Sequence, residues 1–411
     1  MSEHVVKTVP ITLKMVRDAY RKVKQGGKAA GIDRESWADL EKKGADKQLY
    51  ILWNRMASGS YFPQAVREIE IPKKDGKTRK LGIPTIRDRI AQQVIKNYAE
   101  QKIDGHFHAN SYGYRPLKSS KDAIEQVRKN CLEIDWVIDM DISKFFDEID
   151  HELMLKAIDA MKLESWVKMY VQRWLQMKVV KADGTMYDRG NKGTPQGGVI
   201  SPLLANLFLH YGLDKWLEKN YPQIKFVRYA DDAVIHCKNK IEAEQILSAI
   251  KERMEQIGLR LNETKTKIVY CKDYRRRQNH EQIQFGFLGF SYQPRQIQSN
   301  GNRFMGFTAE ISKDNQTKIR ESIRETVNWR NTMQEIEQIA VQLNSKLRGW
   351  INYFGLYSKR NLRRTMFYLD EKLVEWTAKK YKQGIMKSVQ ELQKVKLQKP
   401  TLFYHWEKGY C

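Results

Sequence analysis

The chain has 411 residues, 41% of them hydrophobic, with 73 Lys and Arg against 49 Asp and Glu, a formal net charge of +24. That apolar fraction supports a substantial core in two or three domains and excludes wholesale disorder. The cationic excess calls for a polyanionic partner, most simply nucleic acid, bound in a salt-sensitive way.

Four cysteines, Cys131, Cys237, Cys271 and Cys411, lie far apart with no CxxC spacing. This argues against a zinc knuckle or a disulfide framework and fits a reducing cytosol. The N-terminal "MSEHVVKTVPITLKMVRDAY" is charged throughout and is no signal peptide. The most apolar stretch, "VISPLLANLFLHY", is too short for a bilayer, which needs about 20 residues. A soluble, cytoplasmic protein with no membrane partner is expected.

In chain order, residues 11 to 30 predict a mixed-charge helix ending at the glycine-rich "QGGKAAGID", and residues 47 to 59 predict another. "VREIEIPKKDGKTRKLGIPT" alternates apolar and charged residues around Lys-Lys-Asp-Gly-Lys, a hairpin with a basic tip. Residues 86 to 103 are helical, and "SYGYRPLKSS" is a loop leading into a helix at 120 to 131. "DWVIDMDISKFF" is a strand with Val137, Asp139 and Asp141 on one face. A helical stretch from about 152 to 177, a hairpin and loop at "VVKADGTMYDRGNKGTPQGGVISP" and a helix over 202 to 220 follow. After a further hairpin come a helix at 241 to 257, a strand at "LRLNETKTKIVYC" and a short strand pair at "FGFLGFSYQ". From about 310 the chain reads as basic helices, so a domain boundary is placed near residue 300, at "PRQIQSNGNRF".

The hairpin at 226 to 237 reads "FVRYADDAVIHC" and sets Asp231 beside Asp232. Ala-Asp-Asp between apolar runs is good turn chemistry, and a solvated turn accounts for it taken alone. A metal site requires a third carboxylate on a neighbouring strand. Asp141, in "DISKFFDEID", supplies one if its strand lies beside the hairpin, although these acids also suit helix caps. The basic hairpin tip and the net charge of +24 tip the balance to the metal. Hard Mg²⁺ is held by one or two carboxylates plus substrate phosphates, and polymerase sites hold two ions about 4 Å apart. The order of strands and helices suits an α+β sheet with helices on one face.

The blocks "IPKKDGKTRKLGIPTIRDR", "SYGYRP", "DMDISKFFDEIDH", "TPQGGVISPLLANLFLH", "YADD", "LNETKTKI" and "FLGF" occur in the order found in reverse transcriptases. The sequence most resembles the bacterial group II intron-encoded reverse transcriptase/maturase family, from "AGID" at 30 to 33 through "RGWINYF" and "LFYHW". The resemblance implies a right-hand polymerase: fingers and a ferredoxin-like palm over residues 1–300, and an all-helical thumb/maturase domain with a short basic tail over 301–411. It implies a catalytic metal centre of Asp141, Asp231 and Asp232 with two Mg²⁺, Mn²⁺ being a possible substitute. The spacing to Phe146 selects Asp141 over Asp139, which is left a supporting role. Lys73 and Arg79 would clamp the triphosphate, and Gln196 and Gly197 would position the nucleotide. Lys265 is either the proton donor to pyrophosphate or a surface lysine. Arg115 is a template contact or a loop residue. "FLGF" is a primer-grip hairpin or core. Phe146 would wall off a 2′-hydroxyl and so select deoxynucleotides, its alternative being a core Phe. RNA-dependent RNA polymerases resemble this palm but commonly carry "GDD" and a polar residue at the comparable place.

In the helical tail, Arg348, Arg363 and Arg364 are expected to face RNA, whereas Trp350, Phe354 and Trp376 are expected in the core. No Cys/His cluster of an HNH endonuclease follows, so DNA cleavage is not predicted. The implied partners are group II intron RNA, an RNA template with a DNA or RNA primer, and dNTPs. Three roles are open: an enzyme that copies its parent intron and assists its splicing and mobility, an intron-free relative serving host repair or defence, and a non-catalytic splicing cofactor. The intact aspartates argue against the last.

Overall fold

The structure is a computed structural model that describes residues 9–27, 29–72, 78–299 and 301–411. Helices α1 (Leu13–Lys24), α2 (Trp37–Lys42) and α3 (Ala45–Ala57) precede strands β1 (Val66–Pro72) and β2 (Thr78–Ile83). Helices α4 (Ile86–Ile103) and α5 (Ser120–Glu133) lead to β3 (Trp136–Met140) and the short α6 (Phe145–Glu148). Next come α7 (His151–Ala160), α8 (Ser165–Leu175), β4 (Val179–Val180) and β5 (Met186–Tyr187). Helix α9 (Ser201–Leu209) passes through a π turn (His210–Asp214) into α10 (Lys215–Asn220). Strands β6 (Lys225–Tyr229) and β7 (Asp232–Cys237), helix α11 (Lys240–Gln256) and β8 (Lys267–Tyr270) follow. Strands β9 (Phe285–Phe287), β10 (Phe290–Ser299) and β11 (Asn302–Ile311) precede α12 (Lys313–Thr326), α13 (Ile336–Phe354), α14 (Lys359–Lys380), α15 (Ile385–Gln398) and α16 (Tyr404–Glu407).

The sheets are ordered β2-β1-β4-β5, β6-β7-β3-β8 and β11-β10-β9. The contacts divide the chain into two compact units. The first comprises Met1–Ala123, Met140–Ile235 and Ile241–Thr266; the second comprises Ile124–Asp139, His236–Lys240 and Lys267–Cys411. The division differs from a single cut near residue 300. The described residues on either side of it pair as β10 and β11, whose register runs from Phe290↔Ile311 to Ser299↔Asn302. Composition changes where the basic helices start, but ten cross-strand pairs bind that point into one body.

In the first unit, Thr85 caps α4 by accepting from the Asp88 amide. Asp88 is fully buried and takes hydrogen bonds from Tyr61 Oη (2.5 Å), Thr85 Oγ1 (2.7 Å) and the Gln64 amide (3.2 Å). The helical stretch expected over about 152 to 177 consists of two helices, α7 and α8. Lys162 adopts a left-handed φ of 54° and ends α7 without the usual glycine. The expected helix over 202 to 220 is continuous but widens at the π turn, where Arg253 Nε donates to the Gly212 carbonyl at 3.0 Å.

In the second unit, β3 and β8 pair antiparallel from Trp136↔Tyr270 to Asp139↔Lys267. Only Lys267–Tyr270 of the longer expected strand joins this ladder. Phe290 is fully buried, with ring centroids of Phe354, Tyr353 and Tyr357 at 5.3, 5.7 and 6.0 Å. Each such aromatic residue removes about 150–250 Å² from water. Among the described residues, no helix is long and apolar enough to cross a membrane.

Candidate active site

Asp141 directly follows β3, and its carbonyl accepts from the Asn262 amide at 2.8 Å. A bridge between Ile142 and Leu261, and a 2.9 Å bond from the Ser143 amide to the Arg260 carbonyl, fix the chain beyond it. Asp231 sits in the two-residue turn between β6 and β7, and Asp232 opens β7. The turn is tight because Ala230 adopts φ 57°, a region that disfavours a side chain.

The three carboxylates feel one another. Burial pushes the Asp231 carboxyl above its usual range; Asp141 adds to the rise, and Arg79 and Lys265 oppose it. Asp232 is pushed up to about 6, by burial first and then by the charges of Asp231 and Asp141. Water reaches Asp232, which is exposed, yet the protein behind it withdraws part of its hydration. Lys265 Nζ lies 3.4 Å from Asp141 Oδ2. It stands on a turn, where the Lys265 and Thr266 amides donate to the Asn262 carbonyl, and not on the expected strand.

The donor set suits a hard divalent cation: all oxygen, clustered, and short of positive charge. Among the described residues, no group of three or more His, Cys, Asp or Glu side chains is placed to hold a metal ion by itself. Mg²⁺ needs none, because it is commonly held by one or two carboxylates while water and substrate phosphates complete its octahedron.

The basic hairpin reaches the same site. Arg79 Nε donates to Gln196 Oε1 at 2.7 Å, and the Gly82 amide donates to the Gln196 carbonyl at 2.8 Å. Gly197 has φ 116°, and a Cβ there would meet the Gly82 carbonyl oxygen at 2.8 Å. Arg79, Gln196 and Gly197 are therefore neighbours. Lys73 lies outside the described residues.

Phe145, not Phe146, is the core residue of α6: it is 2% exposed and packs 6.4 Å from Phe208. Phe146 is half-buried, 5.4 Å edge-on from Phe145, and its carbonyl accepts from the Thr194 amide at 2.8 Å. Asp139 lies inside β3 opposite Lys267.

Arg115 is a loop brace. Its five N–H groups go to Asp104 Oδ1, Oδ2 and carbonyl, and to the His108 and Ser111 carbonyls, at 2.8–3.3 Å. With its side chain 6% exposed, it presents no donor to a template. "FLGF" is core at both ends, with Phe287 and Phe290 buried. Leu288 and Gly289 form its turn with φ of 48° and 81°, the pattern of a I′ hairpin. Arg348, Arg363 and Arg364 are exposed; Phe354 and Trp376 are buried and Trp350 is half-buried. Arg363 donates to the Cys411 carbonyl at 2.8 Å, and Arg348 lies 5.4 Å from the Tyr404 ring.

Three residues that shape the site escaped the sequence reading. Gln92 Oε1 accepts from the Val199 amide at 2.7 Å and fixes the loop after Gln196. Asn206 and Arg228 lie buried behind the paired aspartates. One signal was available: Arg228 shares the strand face of Phe226 and Ala230, so a charge stands in an apolar stripe.

A carboxylate at the end of a sheet strand, facing an Asp-Asp hairpin beside a cationic hairpin, defines the palm of a template-directed nucleotide polymerase. Residues 71–308 match the family model described as "Reverse transcriptase (RNA-dependent DNA polymerase)". Residues 316–395 match the one described as "Group II intron, maturase-specific domain". The chain belongs to the group II intron reverse transcriptase/maturase family and is an RNA-directed DNA polymerase. Enzymes of this family depend on a divalent metal, generally Mg²⁺, and act on nucleic acid. Protein YkfC of Escherichia coli (strain K12) is 33% identical over 287 residues, 61% of this chain and 74% of that one. Group II intron-encoded protein LtrA of Lactococcus lactis subsp. cremoris is 27% identical over 425 aligned positions, 81% of this chain and 68% of that one. A telomerase structure from Candida albicans matches with a TM-score of 0.48 and 10% identity over 85% of this chain and 64% of that one.

Proposed function

We propose that the chain copies its parent group II intron RNA into DNA at Asp141, Asp231 and Asp232, and binds the same RNA to assist splicing. The observation that supports this reading best is the mutual electrostatic influence of the three carboxylates, with Arg79 and Lys265 beside them. In the reaction the primer 3′-oxygen attacks the α-phosphorus of a dNTP, its proton leaves, a phosphodiester bond forms, and the α–β phosphoanhydride bond breaks to release pyrophosphate. The aspartates would hold two Mg²⁺, which lower the pKa of the 3′-hydroxyl and neutralise the triphosphate and its leaving group.

The remaining roles fall to side chains. Arg79 offers a planar fork to the triphosphate, held in place by Gln196. Lys265 is an exposed ammonium at the carboxylates, able to hand a proton to the departing pyrophosphate. The half-buried Phe146 ring would wall off a 2′-hydroxyl and offers it no hydrogen bond. Arg348 and Arg364 give the helical region an exposed cationic face for RNA phosphates.

Asp231→Asn tests the reading. Primer extension in Mg²⁺ should fall at least about 10³-fold, because several kcal/mol of charge stabilisation are lost and each 1.4 kcal/mol is tenfold. RNA affinity should stay within a few-fold. Near-normal extension would overturn the assignment. A group II ribozyme flanking the gene would supply the parent intron, and its absence would favour the host-serving role.

A further inference from the structure

The turn that carries the paired aspartates rests on a buried charge. Arg228 and Asp214 are both fully buried. Arg228 Nε and Nη2 donate to Asp214 Oδ1 and Oδ2 at 2.7 and 2.5 Å, a bidentate pair. Arg228 Nη1 turns the other way. It donates to Asn206 Oδ1 at 3.0 Å and to the Ala230 carbonyl at 2.9 Å. Ala230 is the left-handed residue immediately before Asp231. Asn206 Nδ2 donates in turn to the Gly113 carbonyl at 2.5 Å. The Arg228 backbone is clamped as well: its amide donates to the Asn110 carbonyl at 2.9 Å, and its carbonyl accepts from the Tyr112 amide at 2.8 Å.

The π turn explains how Asp214 arrives there. In a regular α-helix, eight residues end about 80° past two full turns, so Asn206 and Asp214 would point apart. The i→i+5 turn at His210–Asp214 takes up one more residue, and both side chains meet Arg228.

Stability alone does not account for such a pair. A buried ion pair is commonly no more stable than apolar residues of the same volume, because desolvation offsets the attraction. What apolar residues cannot do is hold one particular carbonyl. We infer that Arg228, anchored by Asp214 through the π turn, is a positioning residue for catalysis: it holds the Ala230 carbonyl, and with it the left-handed turn that aims Asp231 and Asp232. The inference rests on the assignment of those aspartates made above.

The test replaces the ion pair without leaving a buried charge. An Arg228→Met/Asp214→Leu double variant removes both charges, and Arg228→Lys keeps the charge opposite Asp214 but loses the two-sided fork. Four quantities are measured on the full chain: melting temperature, affinity for a labelled RNA–DNA primer–template, kcat for primer extension, and Mn²⁺ binding read from its EPR signal. Supporting groups behind a metal ligand typically change metal affinity or activity 10–100-fold. The expected result is a folded protein with primer–template affinity within threefold, kcat lowered about 10–100-fold and Mn²⁺ bound about tenfold more weakly. Ala230→Gly, which accepts the left-handed turn without strain, should restore part of the kcat lost in Arg228→Lys.

Either folded variant with kcat and Mn²⁺ affinity within threefold of the parent would overturn the inference. So would a loss of catalysis that only follows the fraction of unfolded protein and is untouched by Ala230→Gly. Asp231→Asn, run alongside, separates two failures. Activity in that variant would remove the aspartate assignment itself, whereas an inactive Asp231→Asn beside active Arg228 variants would remove only the positioning role.

Discussion

The first unit keeps more charge in its interior, whereas rings make up a larger share of the second unit's buried apolar residues. Asp88, Asp214 and Arg228 are fully buried in the first; Asp88 and Arg228 each bond to several partners, and Asp214 takes the bidentate fork of Arg228. In the second, Phe285, Phe287, Phe290, Tyr292, Phe307 and Phe354 are buried, and the Asp273–Arg276 pair is its counterpart in charge. Hydrogen bonds are directional, so they fix where a carboxylate points. The hydrophobic effect that buries rings is largely non-directional, so it contributes stability roughly in proportion to area. The comparison teaches where each kind of damage should appear: charge substitutions in the first unit should lower catalysis more than stability, and ring truncations in the second the reverse.

The sharpest test of that contrast is Asp232→Asn. Primer extension should drop at least about 10³-fold, yet the folded protein should gain stability when no divalent ion is added. The folded-state pKa is raised to about 6 against an ordinary value of 3.8. The charged form is therefore disfavoured by folding. That penalty is absent below pH 4, grows between 4 and 6, and is complete above 6. The variant should melt higher than the parent at pH 8 and level with it at pH 4, and equal melting at pH 8 would break the electrostatic account.

Phe290→Ala should do the reverse. Deleting a fully buried ring costs about 3–5 kcal/mol, read in denaturant titration, with kcat per folded molecule within about threefold. A large fall in kcat at full folding would erase the contrast between the units.

Phe146→Ala addresses selectivity. Opening the wall removes a clash with the 2′-hydroxyl, so the ratio of kcat/KM for dGTP over GTP should fall about tenfold or more. An unchanged ratio would return Phe146 to a packing role.

The smallest effect is expected from Arg348, Arg363 and Arg364 replaced together by Ala. Each phosphate contact contributes about 0.7–0.9 to the slope of log K against log salt. Arg363 already donates to the Cys411 carbonyl, so intron RNA binding should become shallower by about 1.5–2.5 units. Extension of a pre-annealed primer should suffer less. Parallel loss of melting temperature and extension would mean that these arginines hold the helices together.

Part of this was legible in the sequence. The three aspartates, Lys265, Arg79 and Gln196 are marked by the resemblance of their blocks to reverse transcriptases, and helix α4 stands where a helix is expected, over residues 86 to 103. What escaped depends on contacts between distant segments. Arg115 reads as an open cation until Asp104 and two carbonyls take up its donors. The break between α7 and α8 rests on a left-handed Lys162, a conformation that no residue preference signals. The π turn is invisible in "LANLFLHYGLDKW", whose apolar pattern suits an unbroken helix. A boundary at residue 300 follows composition, whereas compactness follows the cross-strand pairs of β10 and β11.

The glycine of "SYGYRP" carries a consequence for how the gene tolerates change. A Cβ at Gly113 would lie 2.4 Å from the Ala230 amide nitrogen and 3.0 Å from the Tyr229 carbonyl carbon, both backbone atoms. No rotamer relieves such an overlap, so even the smallest replacement must push aside the turn before Asp231. Tyr114, the next residue, is 52% exposed. In a saturation scan the two neighbours should differ: one codon admits a single amino acid, while the next, exposed but with a left-handed φ of 57°, admits a wider set from which β-branched residues are missing. Gly113 thereby acts as a fixed point in a loop whose neighbouring position is freer to change.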